Sequence, residues 1–520
     1  MATADSASPH PAPAWAAALV GGCFALLCAA WAGANPPGAS PDEPSHLVKA
    51  YASGTGQLEG RPYPADIVLD DPRSTEWFRA TGRSYLVPAE VAPPESAQCY
   101  AFDPDATPAC QRLDPPATRA GDEVLTPTHL GTYNPALYVP AGLAARTADS
   151  FSSATSRARW VNAAMSAGLL AAAALLVRRR GALALAGFAL AATPMVVFLS
   201  ASVNTNGIEA AAAVCVWAGA TRIIRQPGEV SVGPWVAVGV AGSVLALSRP
   251  LGAVILAAIV VVSRLLAGPE WRRLLRRSRR LVLAGGAAAA AFVFSAAWAV
   301  LVMPSPDLDI GLAARTLDDA VLGLPNQARQ LVGIFGWNDT TMPLVAYVLA
   351  LGAVAALGVA ALRVGDRRDR LALAGLAAAV VIADVAIAVL IEAQIGFGMQ
   401  ARYVLPLAVG FPLLAAEIVG TRTGGDGGSV PPWRAVHALF AAAGVLQGVA
   451  FLTNAHRYAV GRSASWAPPW ESRWSPDGGL LPWLALVVVA VIGLVAVGPL
   501  MRLGAGVRRR PGRLPALTGG

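Results

Sequence analysis

Apolar runs of about 17–25 residues recur along the chain between short polar segments, and each is long enough to cross a bilayer as a helix. Twelve such runs lie near 14–34, 159–177, 181–200, 207–222, 233–248, 250–266, 281–303, 341–362, 372–391, 403–420, 434–452 and 481–501. One interval breaks the rhythm. Residues 35–158 are polar, Pro-rich and mixed in charge, which is uncommon for a loop unless it carries structure or function of its own. The pattern predicts an all-α integral membrane protein, a polytopic bundle of about 12 transmembrane helices with a large first loop. The expected divisions are a tail (1–13), a first helix (14–34), the loop with surface helices (35–158), a multi-span domain (159–501) and a basic tail (502–520). Within the loop, "HLGTYNPALYVPAGLAARTA" (129–148) is apolar but too proline-broken to span. It is expected to lie on the outer leaflet as a helix or re-entrant segment.

Charge sets the orientation. The clusters "RRR" (178–180), "RIIR" (222–225), "EWRRLLRRSRR" (270–280), "RVGDRRDR" (363–370) and "VRRRPGR" (507–513) follow alternate runs. By the positive-inside rule these ends are cytoplasmic. Both termini are then cytoplasmic, and residues 35–158 lie outside the cell membrane. The same rule divides 233–266 at Pro250 into two short spans, because Arg225 and Arg272 on its flanks must share a side. The formal charge of +8 thus reflects topology and membrane lipids, with no nucleic acid partner. A hydrophobic share of 55% against 14% charged agrees, since soluble domains carry about 25% charged residues. Lys49 is the only lysine, and the arginine, alanine and glycine bias suggests a GC-rich bacterial genome.

Of five cysteines, Cys99 and Cys110 stand in the outer loop. On an oxidising face they are expected to form a disulfide. Cys23, Cys28 and Cys215 fall within spans as small buried residues. No zinc-ligand spacing, P-loop or dinucleotide fingerprint is present.

Chemistry concentrates in "SPDEPSH" (40–46), directly after the first helix. One reading makes Ser40 an N-cap with Pro41 at N1 and Glu43 at N3, a capping box that merely starts a helix. The other places Asp42 and His46 on one helix face, with Glu43 alongside, at lipid-phosphate depth. Arg249 and Arg402 stand at outer ends of spans, where charge is expensive and functional by default; headgroup snorkelling is the alternative. Asn204 lies in a tight outer turn, and Asn206 with Glu209 is read as a helix cap. Asp339, in "FGWND", belongs to a docked loop or to the site. Asp384 lies inside a span.

Five patches resemble a polytopic family common in actinobacteria, domain of unknown function 2142. They are "SPDEPSHLVKAY", "LAATPMVVFLSASVNTNGIEAA" (190–211), "LALSRPLG" (245–252), "GIFGWNDTTMP" (333–343) and "GMQARYVLPL" (398–407). More distantly, one helix, an acidic pair just outside it, a large outer loop and many further spans resemble the GT-C glycosyltransferases. Protein mannosyltransferases and aminoarabinose transferases of that group carry an Asp-Glu pair at this place. This resemblance implies a GT-C-like fold and a membrane glycosyltransferase. Such an enzyme moves a sugar from a polyprenyl-phosphate donor to a glycan or protein acceptor of the cell envelope. It implies Asp42 as base, with Glu43 assisting or joining it on a divalent cation. His46, Arg249, Arg402, Asn204 and Asp339 are then the expected substrate-binding residues, the arginines meeting phosphate. A transporter or flippase of a lipid-linked precursor, coupled through Asp384, is the alternative, and a noncatalytic envelope-assembly protein a third.

Overall fold

The computed structural model describes residues 10–114, 121–225, 231–269, 271, 279–304, 310–396, 398–423, 432–466 and 471–508. Most of the expected N-terminal tail, arginines 272–277 and the end of the basic C-terminal tail lie outside these residues. All twelve apolar runs are helical. Ten of the described helices are long and apolar enough to cross a membrane. Two of the runs depart from single full-length spans, for visible reasons. The run 181–200 is two helices, Ala182–Ala191 and Pro194–Ser200, bent by 62°. Pro194 cannot donate to the preceding turn, and the Thr193 hydroxyl accepts the Val196 N–H to start a new helix. The run 233–248 forms a 17-residue helix, Val232–Ser248, and Pro250 opens the next.

Helix Thr205–Arg225 sits at the centre, with 94% of its apolar window buried, whereas only 11% of Val282–Val302 is covered. Leu283, Val293 and Leu301 on that outer helix are exposed, as are Val345, Ile382 and Ile492 on other spans. Such an apolar surface suits hydrocarbon instead of water. Small residues bring the helices together, with Gly21 against Ala171 and Gly187 against Ala416, as is usual where lipid removes the hydrophobic drive between helices.

The first helix, α1 (Ala14–Ala34), delivers the chain to the segment that carries the candidate chemistry. α2 (Glu43–Gly54) follows, then a three-stranded antiparallel sheet of β1 (Arg61–Pro62), β2 (Arg83–Pro88) and β3 (Glu123–Thr128). Helix α3 (Pro72–Thr81) lies between β1 and β2. The segment 129–148, expected to hold a surface helix or a re-entrant turn, is helical only in part. Residues 129–138 are turns, and only α4 (Val139–Ala145) is helical, packed on α2. A Cβ on Gly142 would lie 1.8 Å from the Ala50 carbonyl, so the two backbones touch and only glycine fits. α5 (Phe151–Val177) starts eight residues before the expected span, with a Ser150/Ser153 capping box. Later in the chain β4 (Ile334–Phe335) and β5 (Thr340–Thr341) form a hairpin whose turn needs positive φ at Gly336 and Asn338. Cys99 and Cys110 are joined by a disulfide.

Candidate functional site

α2 begins at Glu43, so the capping-box reading is corrected. Asp42 is the residue before the helix, its backbone is left-handed at φ 63°, and its side chain caps nothing. A non-glycine residue in that conformation is uncommon and costs stability unless its surroundings impose it. The freed carboxylate reaches across the sequence and accepts a hydrogen bond from Arg402 Nη2 at 2.8 Å. His129 Nε2 stands 3.7 Å from its other oxygen. The Asp42 side chain remains 29% exposed, while that of Arg402 is 5% exposed.

Arg402 follows from local sequence. Gly396 ends the long helix Arg367–Ile395 in the left-handed region, and a single 3-10 turn, Ala401–Tyr403, precedes the next helix. Gln330 accepts the Ala401 N–H at 2.8 Å and fixes that turn. Arg402 Nε and Nη1 are buried without a hydrogen-bond partner among the described residues. The residue lines a narrow cleft of about 10 Å³, together with Pro41, Met195, Phe198, Gln330, Asn338 and Gln400. A guanidinium with open donors beside a cleft is a ready binder of phosphate or carboxylate oxygens.

Around this pair the site is aromatic. The Tyr403 ring lies between Arg402 and Arg249, whose guanidinium carbons are 5.5 and 4.8 Å from its centroid. His46 Nδ1 is 2.7 Å from the Tyr138 hydroxyl. His129 stacks on Phe78 at 4.5 Å, and Ser45 Oγ is 3.3 Å from His129 Nδ1. Lys49, one further turn along α2, donates to the Gly131 carbonyl at 2.7 Å and so ties down the turn bearing His129.

Charge is tuned accordingly. Burial alone would raise the Asp42 pKa, but Arg402, His129 and His46 together hold it below the usual carboxylate value. Burial pushes His46 down to about 3, against the pull of Asp42. Burial also lowers His129, with Arg402 adding to it and Asp42 opposing. The folded protein therefore disfavours the charged form of both histidines relative to an unfolded chain. Between about pH 6.5 and the lowered values the unfolded state binds more protons, so stability falls as pH falls. The expected outcome is a lower melting temperature at pH 5.5 than at 7.5, and a smaller difference in a His46→Gln/His129→Gln variant, read by thermal unfolding in detergent.

Not every expected residue joins the site. Glu43 turns away from Asp42. Its oxygens take Arg159 Nε at 2.8 Å and Arg159 Nη2 at 2.5 Å, and Oε1 also accepts the Val203 N–H. It is fully buried, so its expected roles as assistant base or metal ligand are corrected to that of a clamp between α2, α5 and the centre. Asp42 and Glu43 serve different arginines, so they do not make a shared cation site. No cluster of three metal-ligating side chains exists among the described residues. Breaking a buried pair by removing one partner costs about 3–5 kcal/mol. Glu43→Gln is therefore expected to lower thermal stability markedly, as measured by unfolding of the purified protein.

Arg249 pairs with Glu209 (Nε to Oε2, 2.9 Å), so its guanidinium is engaged within the fold and Glu209 is not a helix cap. Asn204 caps the central helix, its Oδ1 accepting the Gly207 N–H at 3.2 Å. Asp339 is corrected likewise, for it pairs with buried Arg457 at 3.0 Å. Asp384 is buried in its span with neither oxygen partnered among the described residues. His129, Tyr138, Tyr403 and Arg159 were not singled out from sequence. His129 and His46 are the only histidines in the long loop, a signal that the apolar character of 129–148 obscured.

A family profile described as "Predicted membrane protein (DUF2142)" matches residues 24–411, and the chain belongs to that family. No curated protein matches it. Among solved structures it is similar to ArnT from Cupriavidus metallidurans bound to undecaprenyl phosphate. That likeness has 15% sequence identity and a TM-score of 0.40, over 95% of this chain and 78% of that one.

Proposed function

We propose that this DUF2142 membrane protein is a glycosyltransferase that moves a sugar from a polyprenyl-phosphate donor to a cell-envelope acceptor on the extracytoplasmic side, with a GT-C-like fold. The observation that carries the reading is the Asp42–Arg402 pair beside a narrow cleft that Arg402 lines, with two of its donors unpartnered among the described residues. In the reaction the acceptor hydroxyl attacks the anomeric carbon and the bond from that carbon to the phosphate oxygen breaks. Asp42 takes the hydroxyl proton, and Arg402 stabilises the departing polyprenyl phosphate.

The pair also orders these events. With the cleft empty, Arg402 holds Asp42 ionised and weakly basic. A donor phosphate competes for the same guanidinium, which loosens Asp42 and lets its pKa rise toward the ordinary carboxylate value. The base is armed only when the donor is seated. Orientation has support from α1. Its N-terminal end meets Arg178, whose carbonyl accepts the Ala12 N–H at 2.8 Å, while Asp42 follows its far end. A 21-residue helix rises about 31 Å, so the basic cluster and the site sit on opposite faces.

The test is acceptor-dependent release of polyprenyl phosphate. Purified protein is given a panel of polyprenyl-phosphate sugars with envelope extract, and release is expected from at least one sugar and from none without acceptor. No release from any of them, with intact binding of the donors, would favour the second reading, a transporter of lipid-linked precursors. Asp384, buried and without a partner among the described residues, is the observation behind that alternative, since an intramembrane carboxyl is a common coupling group. Asp384→Asn should then abolish transport, whereas a transferase tolerates it.

A further inference from the structure

The chain between α1 and Asp42 has no regular structure, yet it is held with unusual completeness. Prolines at 36 and 37 supply no N–H, so this stretch cannot join a helix or a ladder and its carbonyls need other partners. Every carbonyl from Asn35 to Ala39 accepts a hydrogen bond from a side chain elsewhere in the fold. Arg159 donates to Asn35 at 2.7 Å and Pro36 at 2.6 Å. Tyr100 and Gln111 both donate to Pro37, at 2.8 and 2.9 Å. Trp337 donates to Gly38 at 2.9 Å and Tyr458 to Ala39 at 3.0 Å.

Tyr100 and Gln111 are the residues that immediately follow Cys99 and Cys110, the two halves of the disulfide. The disulfide therefore joins the two donors that converge on one carbonyl, five residues before Asp42. The segment it closes is itself anchored from below, because buried Arg457 donates to the carbonyls of Tyr100, Asp103 and Ala106. Gly38, at φ 79°, fits against the chain just before that segment, where an added Cβ would lie 2.7 Å from the Ala97 carbonyl. No residue from 99 to 111 lines the cleft beside Arg402.

We propose that the disulfide-closed segment Cys99–Cys110 positions Asp42, acting through Tyr100 and Gln111 on the Pro37 carbonyl. Its task is to deliver Asp42 to Arg402 in the left-handed conformation that the carboxylate needs to avoid capping α2. The inference rests on the transferase reading for its consequence, but its geometry is tested without a substrate.

Hydrogen exchange followed by mass spectrometry on the full-length protein reads the local opening of residues 39–48. In a Tyr100→Phe/Gln111→Ala variant, which keeps the disulfide and most of the packing, exchange there should rise about tenfold, the scale of a lost pair of hydrogen bonds. The β2 and β3 peptides and the spans should keep their wild-type rates. A Cys99→Ser/Cys110→Ser variant should show the same local change. Where transfer is measurable, both variants should lower kcat without raising the donor KM, because Arg402 is untouched. Unchanged exchange at 39–48 in both variants would overturn the proposal. So would a rise that spreads equally over the sheet, which marks a merely structural staple. Local exchange that rises as expected in a protein without transferase activity would uphold the positioning and remove the transferase reading alone.

Discussion

Asp42→Asn lowers the turnover of sugar transfer by about 10²-fold or more, the scale of lost general-base catalysis, without weakening donor binding. Asparagine matches aspartate in shape and can keep the 2.8 Å hydrogen bond to Arg402, so the fold and the cleft persist. What it lacks is a basic oxygen. Asp42 is itself partly exposed, so solvent reaches the place where its charge is lost. Donor affinity should hold or improve, since the phosphate no longer competes with a carboxylate. The measurement is steady-state kinetics with a separate donor-binding titration. Wild-type turnover in this variant would remove Asp42 from the chemistry.

The second large effect is at Arg402. Arg402→Ala should lower kcat/KM for the donor by about 10²–10³-fold, the loss typical of a group that stabilises a departing charge. Arg402→Lys should lose about tenfold, because an ammonium keeps the charge but not the planar fork for phosphate oxygens. Arg402 also lies against the Tyr403 ring, a contact that suits guanidinium better than ammonium. Both variants should reach the membrane in normal amounts, since Arg402 has one ion-pair partner and faces a cleft. Lysine equal to arginine in donor use would reduce the residue to a simple headgroup anchor.

How much of this was legible in the sequence differs from residue to residue. The apolar runs announced the bundle because lipid permits few spanning structures, and only their joints shifted. Pro194 was visible within the run 181–200, but the length of the apolar stretch outweighed it. Strands β1–β3 were missed because they are two to six residues long and lie in a proline-rich segment whose pairing is decided by tertiary contact. Asp42 and Arg402 each stood out as a charge at a membrane edge, and 360 residues of sequence separate two groups that the fold places in contact. Spacing cannot show such a pairing. Glu43 looked like the twin of Asp42 and is not. Asp42 stops in the left-handed region before α2, while Glu43 opens the helix and meets Arg159, a charge that the sequence placed at the start of a span and that the earlier start of α5 carries inside. Arg249 and Asp339 show the same ambiguity. A charge beside a span is conspicuous, yet only the structure tells whether its partner is another side chain or a ligand.

The central claim is that Arg402, held by Asp42, is a receptor for a lipid phosphate. Binding of polyprenyl phosphate to the purified protein by native mass spectrometry tests it most directly, comparing wild type with Arg402→Ala and Asp42→Asn. The account predicts saturable binding of one lipid to the wild type, binding at least as tight to Asp42→Asn, and loss of it in Arg402→Ala. Equal binding by wild type and Arg402→Ala would contradict it.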